Sequence, residues 1–163
     1  MSHFDKEKYE AEKEKAHGLY KSIKKAYSPA LKCDVNFNAD GFRHLLLRDE
    51  IHKRNWKDTL KRFQLLRHVK GVVEGMGYFQ EYSEKNKFIP ISENKREKRV
   101  DIKRVHCWGF VVIIQASKPL RIKVVLKRVG NGEVMFWSVM PFWKDDHYRE
   151  LAVEITTGDL END

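Results

Sequence analysis

HCWGFVVIIQ (106–115), RIKVVLKRV (121–129) and EVMFWSVMP (133–141) are three apolar runs set apart by turn signals. The first is a buried strand. ASKPL (116–120) makes a turn to the second, which alternates cleanly. Gly130-Asn131-Gly132 makes the tight turn to the third. Together they predict an antiparallel meander. In the middle run Ile122, Val124 and Leu126 point one way, and Arg121, Lys123, Val125 and Lys127 the other. Three cations on one sheet face, with no acid between 118 and 128, need water or a polyanion in front of them. Phosphate is the natural partner, and a solvated sheet face is the plain alternative. In the third run, strict alternation puts Val134, Phe136, Ser138 and Met140 on one face and Met135, Trp137 and Val139 on the other. Ser138 stands one register step from the basic strand, within reach of a bound phosphate.

Upstream of the meander the pattern turns helical. CDVNF (33–37) reads as a short strand, and Asn38 as the N-cap of a helix over about 39–48 with Phe42, Leu45 and Leu46 as its buried stripe. Asn55, with Asp58 three residues on, resembles a capping arrangement. The helix behind it repeats Leu60, Phe63, Leu66, Val69 and Val73 at helical period and stops at Gly75 and Gly77. Residues 83–99, SEKNKFIPISENKREKR, read as a basic loop with one extended piece, KFIPI.

The ends differ in charge. Residues 3–27 are nearly all charge and helix formers. They predict one or two helices ending before Ser28-Pro29, either docked on the domain or serving as an arm. Residues 145–163 hold seven Asp/Glu against one Arg and read as an acidic tail. The expected organisation is an arm at 1–30, a domain at 31–144 and a tail at 145–163. The tail either folds over the basic face and restrains polyanion binding or simply solubilises the chain.

The whole chain has 163 residues, 32 Lys+Arg against 24 Asp+Glu, and a net charge of +8. That excess favours nucleic acid or an anionic membrane surface, or simply keeps the protein soluble. Nine Phe, four Trp and six Tyr are enough for a core, which excludes general disorder. No run approaches the ~18 apolar residues of a membrane span, and the charged first residues are not a secretory signal. Two cysteines, Cys33 and Cys107, fit a reducing cytoplasm, the expected location.

Phosphate-binding P-loop, GxGxxG and GxSxG patterns are missing, so ATP, nicotinamide and serine-hydrolase chemistry drop out. The seven histidines are scattered, and neighbours such as His106 and Cys107 point to opposite faces of a strand, so no metal or other cofactor is expected. His44 has the intrinsic pKa of a proton carrier, although a lone helix histidine is more often structural. On the second helix Arg62 and Arg67 cannot both face the core. Trp108 is in register to stack on a base, with a core position as its plainer reading.

The order of these elements resembles the phage-associated barnase–EndoU–colicin–RelE-like (BECR) nucleases. The resemblance rests on Asn36-Phe37-x4-Phe42-x-His44-Leu45, on Arg62-x-x-Leu65-Leu66, and on Ile122-x-Val124-Val125-Leu126 followed by Phe136-Trp137-Ser138-Val139. It covers about residues 33–141 and leaves the arm and tail outside. It implies an α+β fold with two helices on a four- to five-stranded antiparallel sheet, the helical arm being extra. The implied activity is a metal-independent endoribonuclease of toxin or phage-conflict type, using the RNA 2′-OH to leave a 2′,3′-cyclic phosphate. RNA, tRNA among the candidates, and an acidic antitoxin or immunity protein would be the partners. By position His44, Arg62 and Ser138 match the family's site. Lys123 joins them as a catalytic candidate from its facing alone. Arg43, Arg67, Trp108, Arg121 and Lys127 are the candidate RNA contacts. No Glu or Asp is expected in the strand core, so the general acid would be Lys, Arg or a second histidine such as His106. A non-catalytic nucleic-acid-binding module with the same basic face is the alternative.

Overall fold

The computed structural model describes residues 1–49, 51–90, 100–115, 117–142 and 160–163. The fold is α+β. Three helices, α1 (His3–Ile23), α2 (Ala39–Leu46) and α3 (Trp56–Gly75), accompany strands β1 (Lys25–Ser28), β2 (Cys33–Asn36), β3 (Glu81–Pro90), β4 (Val100–Ile114), β5 (Leu120–Val129) and β6 (Val134–Pro141). The strands form one sheet in the order β1-β2-β6-β5-β4-β3, antiparallel except for a short parallel contact between β2 and β6. The meander β4-β5-β6 is as the sequence predicts.

The sheet has six strands rather than four or five. The difference comes from β1, which has no strand signature, and from β3, where the sequence shows only the extended piece KFIPI. β1 lies in a stretch expected to be helical up to Tyr27. There α1 breaks at Lys24, in a positive-φ conformation, and the chain turns back to pair with β2. β3 lies where a loop with one extended piece, KFIPI, is expected: Lys87 to Pro90 belongs to the strand, which begins earlier, at Glu81. Its SEKNK core has no apolar alternation, because β3 is an edge strand with few buried side chains. What fixes it is ten-residue antiparallel pairing with β4, from Glu81↔Gly109 to Pro90↔Val100. Pro90 ends an edge strand, a position where a missing N–H is tolerated. Residues 91–99, the remainder of the expected loop, lie outside the described residues.

One face of the sheet carries the main core. Trp108 and Phe110 of β4, Ile122, Val124 and Leu126 of β5, and Val134, Phe136 and Val139 of β6 pack with Phe42 and Leu45 of α2 and Phe63, Leu66, Val69 and Val73 of α3. α1 docks on the same core through Ala16 and Tyr20, with the Tyr9 ring tilted against Phe63 (5.8 Å between centroids). Of the two readings of the N-terminal segment, docking is the one observed. A Ser2–Asp5 capping box starts α1. The other face carries a small second cluster: Val105, Cys107, Val125 and Leu160, with Trp137 and Met140 against it.

β6 departs from strict alternation. Val125 pairs with Ser138 and Leu126 with Phe136, so Trp137 is an extra residue opposite no partner. This bulge reverses the parity of everything after it. Val139 therefore joins Phe136 on the helix side, whereas Trp137 and Ser138 turn together to the other face. The expected grouping of Ser138 and Met140 with Phe136 is corrected by this one residue.

Candidate functional site

α2 approaches β6 closely because residue 41 is glycine. A Cβ there would stand 2.3 Å from the Phe136 carbonyl oxygen and 2.6 Å from the Tyr20 hydroxyl. Asn38 caps the helix by accepting from the Gly41 amide, and Tyr20 donates to the Asn38 carbonyl (2.6 Å). One turn on, the same approach lays the His44 ring over Trp137, 4.3 Å between centroids. The chain then doubles back. Leu47 bridges Lys53, and the Asp49 carboxylate accepts from the Ile51 and His52 amides. This turn returns Arg54 to His44, where Nη2 lies 3.1 Å from His44 Nε2 and Nε donates to the His44 carbonyl (3.2 Å).

α3 supplies Arg62. Asn55 caps this helix through the Lys57 amide, while the Asp58 carboxylate turns to Arg62 Nε (3.1 Å) instead of completing a capping box. Arg62 Nη1 donates to Ser138 Oγ at 2.7 Å. From the sheet, Lys123 and Lys127 rise on the face opposite the main core and are almost fully buried. Buried ammonium groups need partners, and here the partners are carboxylates. Lys123 Nζ lies 3.3 Å from Glu81 of β3, itself buried. The expectation of no acid in the strand core is thus corrected: Glu81 belongs to a strand that the sequence does not announce.

The remaining partners come from the chain's own last residues. Leu160 packs on Val105, Cys107 and Val125. Gly109 makes room beneath it, since a Cβ there would meet Glu81 at 2.9 Å and Leu160 at 3.2 Å. The Glu161 carboxylate is held by Lys85 (2.9 Å), Lys127 (3.2 Å) and Lys87. The Trp137 indole donates to the Glu161 carbonyl (2.7 Å), and Lys127 Nζ lies over the Trp137 ring (3.8 Å). The main-chain oxygen of Asp163 accepts from Arg62 Nη1 (2.5 Å), Ser138 Oγ (3.1 Å) and Arg54 Nη2 (3.2 Å). Its side chain takes Lys123 Nζ (2.5 Å). Two anion-holding positions result, one lined by Arg54, Arg62, Ser138 and Lys123, the other by Lys85, Lys87 and Lys127. Of the acidic tail, residues 145–159 lie outside the described residues, and 160–163 lie on the basic face.

Charge and burial set the proton affinities. Burial, then the Arg54, Arg62 and Lys127 charges, drive His44 down to about 3, so its imidazole is neutral at pH 7. Burial opposes ionisation of Glu161. Hydrogen bonds from Lys87 and Lys85 and the Lys127 charge outweigh it and bring the carboxyl down to about 2. Burial, then the Arg62 charge, lowers Arg54 to about 10. Cys107 is pushed up to about 11 by burial, which removes it as a thiolate nucleophile at neutral pH.

Of the sequence-predicted residues, His44, Arg62, Lys123, Lys127 and Ser138 therefore meet in one place. Arg121 is half-buried on the same sheet face as the lysines. Arg43 and Arg67 are exposed on their helices, Arg67 donating to His68 (3.1 Å). Trp108 is corrected. It pairs with Leu126 on the helix side and is buried in the main core, on the opposite face from the lysines. His106 stacks on it there (5.8 Å, 10°), so it is no candidate general acid for this site. The sequence reading misses Arg54, Glu81, Lys85, Lys87 and Trp137. Only two glycines hinted at the closeness involved: Gly41 inside a helix and Gly109 inside an apolar strand. Among the described residues no three His, Cys, Asp or Glu side chains gather as metal ligands, and no helix is long and apolar enough to cross a membrane. Comparison of the chain with known protein families, curated proteins and solved structures finds no match.

Proposed function

We propose that the chain is an endoribonuclease that works without a metal, through the cleft of His44, Arg54, Arg62, Lys123 and Ser138. The observation that carries this reading is the convergence of Arg62, Arg54 and Ser138 on one oxygen, that of Asp163, with Lys123 beside it. An RNA phosphate presents the same demand: non-bridging oxygens that gain charge in the pentavalent transition state. Arg62, Arg54 and Ser138 hold those oxygens, and Lys123 neutralises the added charge.

RNA carries its own nucleophile. The 2′-OH gives its proton to the neutral imidazole of His44, and its oxygen forms a bond to phosphorus as the P–O5′ bond breaks. Lys123 or Lys127 supplies the proton to the departing 5′ oxygen. The products are a 2′,3′-cyclic phosphate and a 5′-OH. A phosphate in the cleft also raises the proton affinity of His44, opposing the cations that hold it down. Cytoplasmic RNA is the expected substrate, and an acidic antitoxin or immunity protein the expected partner.

One observation favours a second reading. An imidazole held near 3 is a weak base, and its Nε2 already meets Arg54. That suits a module that binds RNA without cutting it. Incubation of wild type and His44→Ala with total tRNA in EDTA separates the two. Discrete cleavage by wild type alone, with RNA affinity kept by the variant, supports the nuclease. A gel shift by both proteins without cleavage supports the binding module and overturns the nuclease.

A further inference from the structure

The cleft is occupied in a particular way. Two acidic residues two positions apart, Glu161 and Asp163, fill two separate cation clusters, and Leu160 anchors them in the small apolar cluster next door. We propose that Leu160–Asp163 is an intramolecular competitor of RNA, seated in two successive phosphate subsites of the cleft. The proposal rests on the RNA reading above and adds to it a second subsite, Lys85, Lys87 and Lys127, and a built-in inhibitor.

Three features carry the argument. First, the spacing fits. Two residues of chain span at most ~7 Å, a reach comparable to one nucleotide step, so a strand with one phosphate at Arg54, Arg62 and Ser138 can set its neighbour at the lysine trio. Second, the exchange is electrically balanced. Lys123 and Lys127 are buried with the segment in place and take the Asp163 and Glu161 carboxylates, so a strand that brings two phosphates replaces those charges one for one. Third, the hold on the segment is mostly polar. Its one apolar anchor is Leu160, whereas Glu161 and Asp163 are bound by ions and hydrogen bonds that a competing polyanion can take over.

The second subsite also defines the ligand. A mononucleotide fills one cluster and leaves the segment's other carboxylate in place. A strand with two adjacent phosphates displaces both. The cleft is therefore selective for an oligonucleotide over a mononucleotide, and Lys85 and Lys87, the half-exposed members of the trio, are contacts for the neighbouring phosphate.

The test uses the full chain and a fluorescent 2′-O-methyl oligouridylate, which binds but cannot be cleaved. Glu161→Gln/Asp163→Asn is expected to bind it about tenfold more tightly than wild type, because the competent open state is no longer a minor fraction. Lys85→Ala/Lys87→Ala is expected to bind more weakly, with the slope of log affinity against log salt smaller by about one to two. A readout on unmodified protein guards against a variant that fails to fold. The Trp137 indole N–H, bonded to the Glu161 carbonyl, should shift in the 15N–1H spectrum as RNA is added. Equal affinity of wild type and the Glu161/Asp163 variant overturns the proposal and leaves the RNA reading standing. So does RNA binding that never moves the Trp137 signal. Absence of RNA binding by both proteins, with the variant's Trp137 signal already moved, overturns the RNA reading and the proposal with it.

Discussion

The two faces of one sheet are stabilised in opposite ways. The helix-side face is closed by Phe136, Phe110, Leu126 and their neighbours, fully buried and apolar. The other face has only the small cluster of Val105, Cys107, Val125 and Leu160, and is otherwise closed by Lys123, Lys127, Glu81 and the polar residues 161–163. Apolar packing is non-directional and tolerates no substitute solvent. Ion pairs are directional and exchange one anion for another. One face therefore holds the fold, and the other holds something that can be replaced.

The largest effect should come from the first face. Phe136→Ala, in the centre of the main core, is expected to cost about 3–5 kcal/mol by urea unfolding, as large-to-small changes in cores do. A loss under ~1 kcal/mol would break the contrast between the faces.

Next comes Lys123→Met. It leaves the buried Glu81 carboxylate without its Lys123 partner and should cost about 3 kcal/mol. Glu81→Gln added to it should recover part of that loss, and a purely additive double variant would show the pair to be uncoupled.

Acid should act on the second face. His44 sits at about 3 when folded against an ordinary 6.5, so the unfolded chain takes up the proton first and stability falls as pH drops from 6.5 towards 3. Glu161, at about 2 against 4.5, adds a loss between 4.5 and 2. From pH 7 to 5 the single His44 proton is worth ~2 kcal/mol, and His44→Gln should flatten that slope. An unchanged slope in the variant would assign it to another group.

The smallest effect belongs to Arg67→Ala. Arg67 is exposed on α3, and the change should stay within ~0.5 kcal/mol in stability. A larger loss would mean that the outer helix surface takes part in what the sheet faces do.

Legibility in the sequence follows the same division. The helix-side face is written as periodicity: 122, 124 and 126 on a strand, and 63, 66, 69 and 73 on a helix. Both caps, Asn38 and Asn55, are visible as residue types. The other face is written in charges, and charges have no period. His44 stands out by residue type and Ser138 by its place beside the basic strand, Arg62 is assigned to the site by the resemblance, and Lys123 and Lys127 follow from strand facing. Arg54, Lys85 and Lys87 were not found, because each reaches the cleft through a turn or a pairing that no local pattern encodes. β3 is a strand because β4 offers it an edge, and its polar residues carry no trace of that.

Trp137 has a consequence for how this cleft is written into the chain. Removing that residue would leave Val134, Met135, Phe136, Ser138, Val139 and Met140 in unbroken inside–outside order, with every existing β5 partner kept. The sheet has no need of it. Yet His44 lies on its ring, Lys127 lies over it, and its indole holds Glu161. The cleft's floor is a one-residue insertion in an otherwise regular ladder. A single-codon deletion would thus erase the floor and spare the scaffold, making fold and cleft separately editable at one position.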